Sequence, residues 1–213
     1  LLDFQSDYCL MNLGGDFKPE KIDNNKLEKF DKWILNTLNC TIRSVNEALE
    51  GYRFNEAKNV IYEFWWHEFC DWYLELVKQR IYGKGGATAA SSATAKQVLF
   101  HVLKKGLQLL HPFMPFITEE IWNKIKSGGE GDIIVSQWPQ HEDSFVFEEE
   151  ARYTETFKDI IYRIRNIRGE MNIPPEKRAD VVFRTSSELV SAIINGEGVH
   201  IQALAKVESL RLD

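Results

Sequence analysis

From Asn55 to Tyr82 the chain reads NEAKNVIYEFWWHEFCDWYLELVKQRIY, with neither glycine nor proline. That uninterrupted run constrains the fold more than any other feature. Ile61, Trp65, Phe69, Trp72 and Leu76 recur at the spacing of one helical face, while Glu68, Asp71 and Glu75 line another. Asn55 is placed to cap the start, with Glu56 in the first turn. Lys78 and Arg80 lie near the end, and Gly83 comes next. At 1.5 Å per residue such a helix is roughly 40 Å long. Each tryptophan on its apolar stripe can bury about 200 Å², so the helix anchors a core against which other helices are expected to lie.

The rest of the chain supplies them. Leu1 to Leu13 is a weakly patterned apolar stretch that starts inside a helix, without Met, as a fragment would; Gly14-Gly15 ends it, and a loop carrying Phe17 comes after. Asn24 or Asn25 is placed to cap a long helix with Leu27, Phe30, Ile34, Leu38, Ile42, Val45 and Leu49 on its apolar side, closed by Gly51. The short turn from Tyr52 to Phe54 makes it an antiparallel neighbour of the anchor helix. Gly83 to Ala95 is small and polar and reads as a mobile loop. Val98, Leu99, Val102, Leu103, Leu109 and Leu110 mark a third helix, with Gly106 admitting a close neighbour. HPFMPF redirects the chain, and ITEEIWNKIK is a fourth helix ended by Gly128, Gly129 and Gly131. IIVSQWP is a short extended segment. Glu148 to Asn172 reads as a fifth helix, with Ile160, Ile164, Ile167 and Met171 on one face and Pro174-Pro175 as its stop. Beyond Ala179 come a strand, a helix and a strand. The expected domains are a helical bundle over 1–175 and a small α/β segment over 176–213, too short for a core of its own.

Most site chemistries are excluded by pattern. Cys9, Cys40 and Cys70 form no CxxC pair, so neither a zinc site nor a disulfide framework is indicated, and a reducing cytoplasm fits. No apolar run reaches the length of a membrane span, and no signal peptide is visible. His67-Glu68 starts like a zinc-protease motif, but Asp71 stands where the second His belongs. His101 and His111 lack spaced partners for a metal. The glycines at 83, 85 and 86 lack the Lys-Ser/Thr ending of a phosphate loop, and no strand precedes them. The acidic stripe reads as a solvated or salt-bridged face. No metal and no catalytic residue is expected.

Charge leaves a narrower opening. The chain carries −6 overall, but from Arg152 to Arg178 seven Lys or Arg face four Asp or Glu, a local +3 that leaves −9 elsewhere. A nucleic-acid partner therefore has to use local basic strips. Arg163, Arg165 and Arg168 flank the apolar face of the fifth helix. They can bind phosphates or stack on bases, or they can pair with Glu170 or the acidic stripes. Phe17 and Tyr82, near element ends, are stacking platforms or packing residues.

Three stretches carry a resemblance: FCDWYLELVK (Phe69 to Lys78), LLHPFMPFITEEIW (Leu109 to Trp122) and IRNIRGEMNIPP (Ile164 to Pro175). In order and spacing they resemble the anticodon-binding helical domain of the bacterial valyl-tRNA synthetases. RFNEAKNVIYEFWW and SQWP between them fit as well, and isoleucyl and leucyl enzymes carry related bundles. The resemblance implies a mainly α fold, an antiparallel bundle of the class I synthetase anticodon-binding type followed by a small α/β segment. It implies a parent that joins valine to its tRNA with ATP and Mg²⁺ and edits mischarged product. The HIGH and KMSKS signatures and the editing domain do not occur here, so the resemblance implies a non-catalytic part that holds valine-accepting tRNA beside missing catalytic and editing domains. It adds the Phe17 loop and the Lys78–Arg80 helix end as candidate contacts. One departure stands out: Asp3 and Asp7 occupy positions where the family pattern has Trp and Arg, and an Asp there repels phosphate. A helical scaffold for protein partners is the competing reading; a self-contained enzyme is opposed by the missing motifs.

Overall fold

A computed structural model describes residues 2–14, 17–83, 87–174 and 176–213, with only the backbone described for 2–5. The chain divides into two compact units, Leu1–Glu148 and Glu149–Asp213.

In the first unit α1 (Leu2–Leu13) precedes a 3₁₀ turn (Asn24–Lys26) and α2 (Lys29–Glu50). The anchor run is one continuous helical rod: α3 (Phe54–Glu63), a π-helical segment (Phe64–Tyr73) and α4 (Leu74–Ile81). Then come α5 (Ala89–Leu110), α6 (Pro115–Ile125) and two 3₁₀ turns, Ile133–Val135 and Asp143–Phe145. The anchor stripe is buried as its spacing predicts, with Trp65 and Trp72 at 1% and 3% exposure. The π geometry widens each turn, so Phe64, Cys70 and Tyr73 join the buried face as well. Gly106 of α5 receives the Trp65 indole so closely that a Cβ there would stand 2.1 Å from its Cζ3.

Several boundaries differ from the sequence expectation. The rod begins one residue early, after Arg53 rather than under an Asn55 cap. Asp23 caps the 3₁₀ turn through Asn25 N, and α2 starts separately after Glu28, whose N–H donates to Asp31. The stretch expected as a loop up to Ala95 is helical from Ala89. Thr88 caps it by accepting from Ser91 N, and alanine-rich sequence needs no more than that to continue as a helix. The IIV of IIVSQWP forms a 3₁₀ turn instead of an extended segment. Gly15, Gly85, Gly86 and Pro175 lie outside the described residues.

A strap from Ser136 to Phe147 holds α2 and α5 side by side. Asn36 Oδ1 accepts from Phe147 N (2.8 Å), and Asn39 bonds both the N–H and the carbonyl of Glu142 (2.8 Å each). Asn46 Oδ1 accepts from Trp138 Nε1 (2.6 Å), while Gln108 of α5 donates to Ser136 Oγ and Gln137 O (2.9 Å each). At the other end Ser91 donates to Glu28 (2.6 Å). The starts of α2 and α5 therefore meet at one end of the bundle and their C-terminal turns at the opposite end.

The second unit joins α7 (Glu148–Glu170) to β1 (Ala179–Phe183), α8 (Glu188–Gly196), α9 (Gly198–Ala205) and β2 (Val207–Leu212), the strands pairing in parallel. Its division from the first unit falls ahead of the boundary near Pro174 to Glu176 that the sequence suggests. The fifth helix of the sequence reading, α7, is tied to the β-α segment after it: Tyr153 OH donates to Glu197 (3.1 Å), Arg165 to Leu204 O and Arg168 to Lys206 O. Ile160 and Ile164 of its apolar face are buried, but Ile167 and Met171 are exposed.

Candidate nucleic-acid interface

Of the candidate residues of the first unit, Lys78 and Arg80 lie where α2 and α5 begin, and Phe17 lies against the middle of α5. Arg80, near the end of α4, is enclosed. Its Nη1 lies 2.7 and 2.8 Å from the two oxygens of Asp31, its Nε donates to Ser91 Oγ (2.9 Å), and its Nη2 donates to Ser91 O (3.0 Å). Glu28 lies 3.2 Å from Nε. Asp31 is fully buried and also accepts from Tyr73 OH (3.1 Å) and Glu28 N (3.1 Å). Burial pushes the Asp31 carboxyl upward, and Arg80 beside it pulls it back. Burial likewise lifts the Tyr73 phenol, so Tyr73 stays a neutral donor. A guanidinium with this set of partners is a fastener between α4, α2 and α5, and it does not reach out to a phosphate.

Lys78 has a different surrounding. It pairs with Glu75 on its own helix, and its ammonium lies 5.4 Å from the centre of the Tyr8 ring. Tyr82, which is 53% exposed, donates to Tyr8 OH at 3.4 Å. Lys78 is half-buried, and exposed lysine pairs of this kind contribute little to stability, so its charge is available to an anion.

Phe17 packs on Phe100 of α5 with ring centres 5.3 Å apart. Its loop is clamped by Gln97, which accepts from Glu20 N and donates to Lys18 O (2.8 Å each), and Lys96 donates to Leu13 O (3.3 Å). Beside it opens a cavity of about 530 Å³ walled by Leu10, Leu13, Phe17, Phe100, Lys124 and Lys126, among others. Lys124 faces Asp7 and Lys126 faces Asp132, each at 3.3 Å. An apolar floor with aromatic rings and two lysines in its walls suits a base and its phosphate. Phe100 and Ser91 are nine residues apart on α5, so the Phe17 and Arg80 contacts stand roughly 14 Å apart along that helix.

In the second unit Arg163 is exposed and bonds Asp159 one turn back (2.7 Å). Arg165 donates to Leu204 O at 2.9 and 3.2 Å. Arg168 is buried, and its guanidinium donates to Lys177 O (2.7 Å), Lys206 O (3.0 Å) and Pro174 O (3.3 Å). Arg168 is thus a clamp on the turn after α7, Arg165 leans on α9, and Arg163 holds its side chain largely in solvent. In place of the pairing with Glu170 weighed from sequence, the three guanidinium groups bond backbone carbonyls and Asp159. A helical wheel sees flanks, and it has no view of carbonyls brought in by a later β-α segment.

Lys124, Lys126 and Tyr8 were missed by sequence reasoning. Lys124 and Lys126, one in and one just past the last turn before Gly128, are a basic C-terminal turn that the helix pattern could have drawn attention to. Tyr8 carried no local signal. Among the described residues no group of three or more His, Cys, Asp or Glu is placed to hold a metal, and no helix is long and apolar enough to cross a membrane.

Residues 31–183 match the model of the anticodon-binding domain of tRNA ligases. The chain belongs to this family. The anticodon-binding domain is 42% identical over 203 residues to the valine–tRNA ligase of Carboxydothermus hydrogenoformans, covering 95% of this chain and 22% of that protein. It is 39% identical over 210 residues to the valine–tRNA ligase of Aquifex aeolicus, covering 95% of this chain and 18% of that protein. Against the valine–tRNA ligase of Syntrophotalea carbinolica the identity is 42% over 217 residues, 96% of this chain and 23% of the relative. The anticodon-binding domain thus spans about a fifth of the length of the relatives it matches.

The stretch HPFMPFITEEIW has a structural part to play in this domain. Thr118, fully buried, lies 2.8 Å from His111 Nδ1 and donates to Met114 O (2.8 Å). Glu119 accepts from Ile133 N (3.1 Å), and Trp122 Nε1 donates to Gly131 O (3.0 Å). The motif locks the turn from α5 into α6 and fastens the chain that returns along them.

Proposed function

We propose that these residues are the tRNA-holding domain of a valine–tRNA ligase, a larger enzyme that joins valine to its tRNA with ATP and Mg²⁺ in the cytoplasm. The specificity for valine is supported by relatives that share about 40% identity along nearly the whole chain. ATP, Mg²⁺ and the editing and joining steps belong to the catalytic and editing domains, and this chain by itself is inactive in charging. The observation that carries the tRNA contact is the Phe17 cavity: a ring against Phe100, aliphatic walls that include Leu10 and Leu13 of α1, and Lys124 and Lys126 beside them, with Lys78 and Tyr82 against Tyr8 of the same helix. Such a surface takes an unstacked base on its apolar floor and neighbouring phosphates on its lysines.

The test is fluorescence anisotropy with a valine-accepting tRNA transcript, run across a salt series. Binding is expected to weaken with salt, to drop about tenfold in Phe17→Ala, and to be absent for heparin at the same charge. Equal binding of heparin, or a Phe17→Ala chain that stays folded and binds unchanged, defeats the reading.

A further inference from the structure

A second cavity, of about 390 Å³, lies between the C-terminal half of α5, the middle of α6 and the chain that returns from 130 to 137. Its walls include Lys104, Lys105 and Gln108 of α5, Trp122 of α6, and Val135 and Ser136 of the returning chain. It shares none of these residues with the Phe17 cavity, so a ligand here is independent of the tRNA contact proposed there.

The polar groups of this wall are only half used. Gln108 is 7% exposed, and its Nε2 is committed, donating to Ser136 Oγ and Gln137 O (2.9 Å each). Its Oε1 is buried as well and accepts no hydrogen bond among the described residues. A buried amide oxygen without a donor is rare in a folded protein and calls for one. Ser136 Oγ, which accepts from Gln108, has its own proton left to donate. The Lys104 ammonium pairs with Glu130 and stands 5.0 Å from the centre of the Trp122 ring. Lys105 lies one turn before Gln108 on the same side of α5 and meets no carboxylate among the described residues. Val135, 75% exposed, adds an apolar wall beside Trp122.

An acceptor, a hydroxyl donor, a cation and an apolar wall thus face one space. A bare phosphate would use the cation alone, and a purely apolar ligand would leave the cation and the amide oxygen unmatched. The volume falls in the range of sites for ligands larger than either. We propose that this cavity binds a free nucleoside monophosphate. The base lies against the apolar wall, its edge donating an N–H to Gln108 Oε1 and accepting from Ser136 Oγ, and the phosphate meets Lys105.

Isothermal titration of the 213-residue chain with AMP at low salt tests this. Saturable binding of one AMP per chain is expected, with ribose 5-phosphate, which lacks the base, at least about tenfold weaker. Lys105→Ala is expected to weaken AMP about tenfold, and Val135→Glu, which puts a carboxylate in the wall, to abolish binding. Both positions are free of the contacts that hold the fold, and unchanged melting temperatures check that the variants are intact. No saturable binding at millimolar AMP overturns the proposal. So does ribose 5-phosphate binding as tightly as AMP, which leaves a phosphate on a lysine and no base site. AMP binding that survives in both folded variants places the nucleotide elsewhere, and displacement of AMP by the tRNA transcript assigns the contact to a nucleotide of the tRNA; either result ends the assignment. Failure of the tRNA-holding reading shows separately, in the anisotropy of the transcript, which Lys105→Ala and Val135→Glu are expected to leave unchanged.

Discussion

One nitrogen of Arg80 stands 2.7 and 2.8 Å from both oxygens of Asp31, and Asp31 is wholly shielded from solvent. Removing the cation leaves a buried carboxylate with Tyr73 OH and Glu28 N as its partners among the described residues. Breaking one side of such a pair costs about 3–5 kcal/mol. Arg80→Ala is therefore expected to unfold at a much lower urea midpoint, with tRNA affinity per folded molecule unchanged. A variant of wild-type stability that has lost tRNA binding would return Arg80 to the interface.

Gly106 marks the closest approach of α5 to the anchor rod. A methyl placed there meets Trp65 Cζ3 at 2.1 Å, and Trp65 is 1% exposed. Overpacking of this kind costs about 1–3 kcal/mol, although alanine is intrinsically the better helix former by about 1 kcal/mol. The steric cost wins at this position. Gly106→Ala is expected to lower the melting temperature by several degrees, with a shifted Trp emission; a rise in melting temperature contradicts the packing.

The periodic parts of the chain were legible because burial follows period. Trp65, Phe69 and Trp72 fall on the buried face that their spacing predicts, and Val98, Leu99, Val102 and Leu103 of α5 are buried as well. The site was less legible because cations look alike in sequence. Arg80 and Lys78 are two residues apart on one helix, yet Arg80 is enclosed by Asp31 and Ser91 while Lys78 faces Tyr8 and solvent. That difference depends on partners far along the chain. The strap on Asn36, Asn39 and Asn46 was hidden for the same reason: each Asn bonds a residue about a hundred positions away. The π segment was invisible because its sequence is equally good α-helix sequence.

His101 gives the domain an acid-sensitive point. Burial, with Lys105 and Lys104 close by, holds its imidazole down at about 4, and its ring meets the edge of Phe145. The folded state thus binds fewer protons here than the unfolded chain, whose histidine titrates near 6.5. The resulting stability is fully present above about pH 6.5 and is lost as the pH falls toward 4. The loss amounts to about 2 kcal/mol once the partial exposure of the ring is allowed for. Urea unfolding at pH 7 and pH 4.5 measures it. The difference between the two pH values is expected to shrink in His101→Gln, and an unchanged difference assigns the acid sensitivity to the carboxylates.

Asp7 stands 3.3 Å from Lys124, and Lys124 is one of the two lysines in the wall of the Phe17 cavity. Both side chains are well exposed, so their pairing contributes at most about 1 kcal/mol to the fold. For an incoming phosphate the same pair is costly: the carboxylate repels it and holds the cation that would receive it. Asp7→Asn keeps the size and hydrogen-bonding capacity of the side chain while releasing Lys124. Stability is expected to change by less than about 0.5 kcal/mol. The tRNA affinity at low salt is expected to rise about three- to fivefold, and the slope of log affinity against log salt to steepen by about 1, the signature of one further phosphate contact. Lys124→Ala combined with Asp7→Asn removes the gain if Lys124 is its source. An Asp7→Asn chain that folds normally and binds with unchanged affinity and salt slope places the phosphate path away from Lys124, and the cavity then loses its claim to the tRNA backbone.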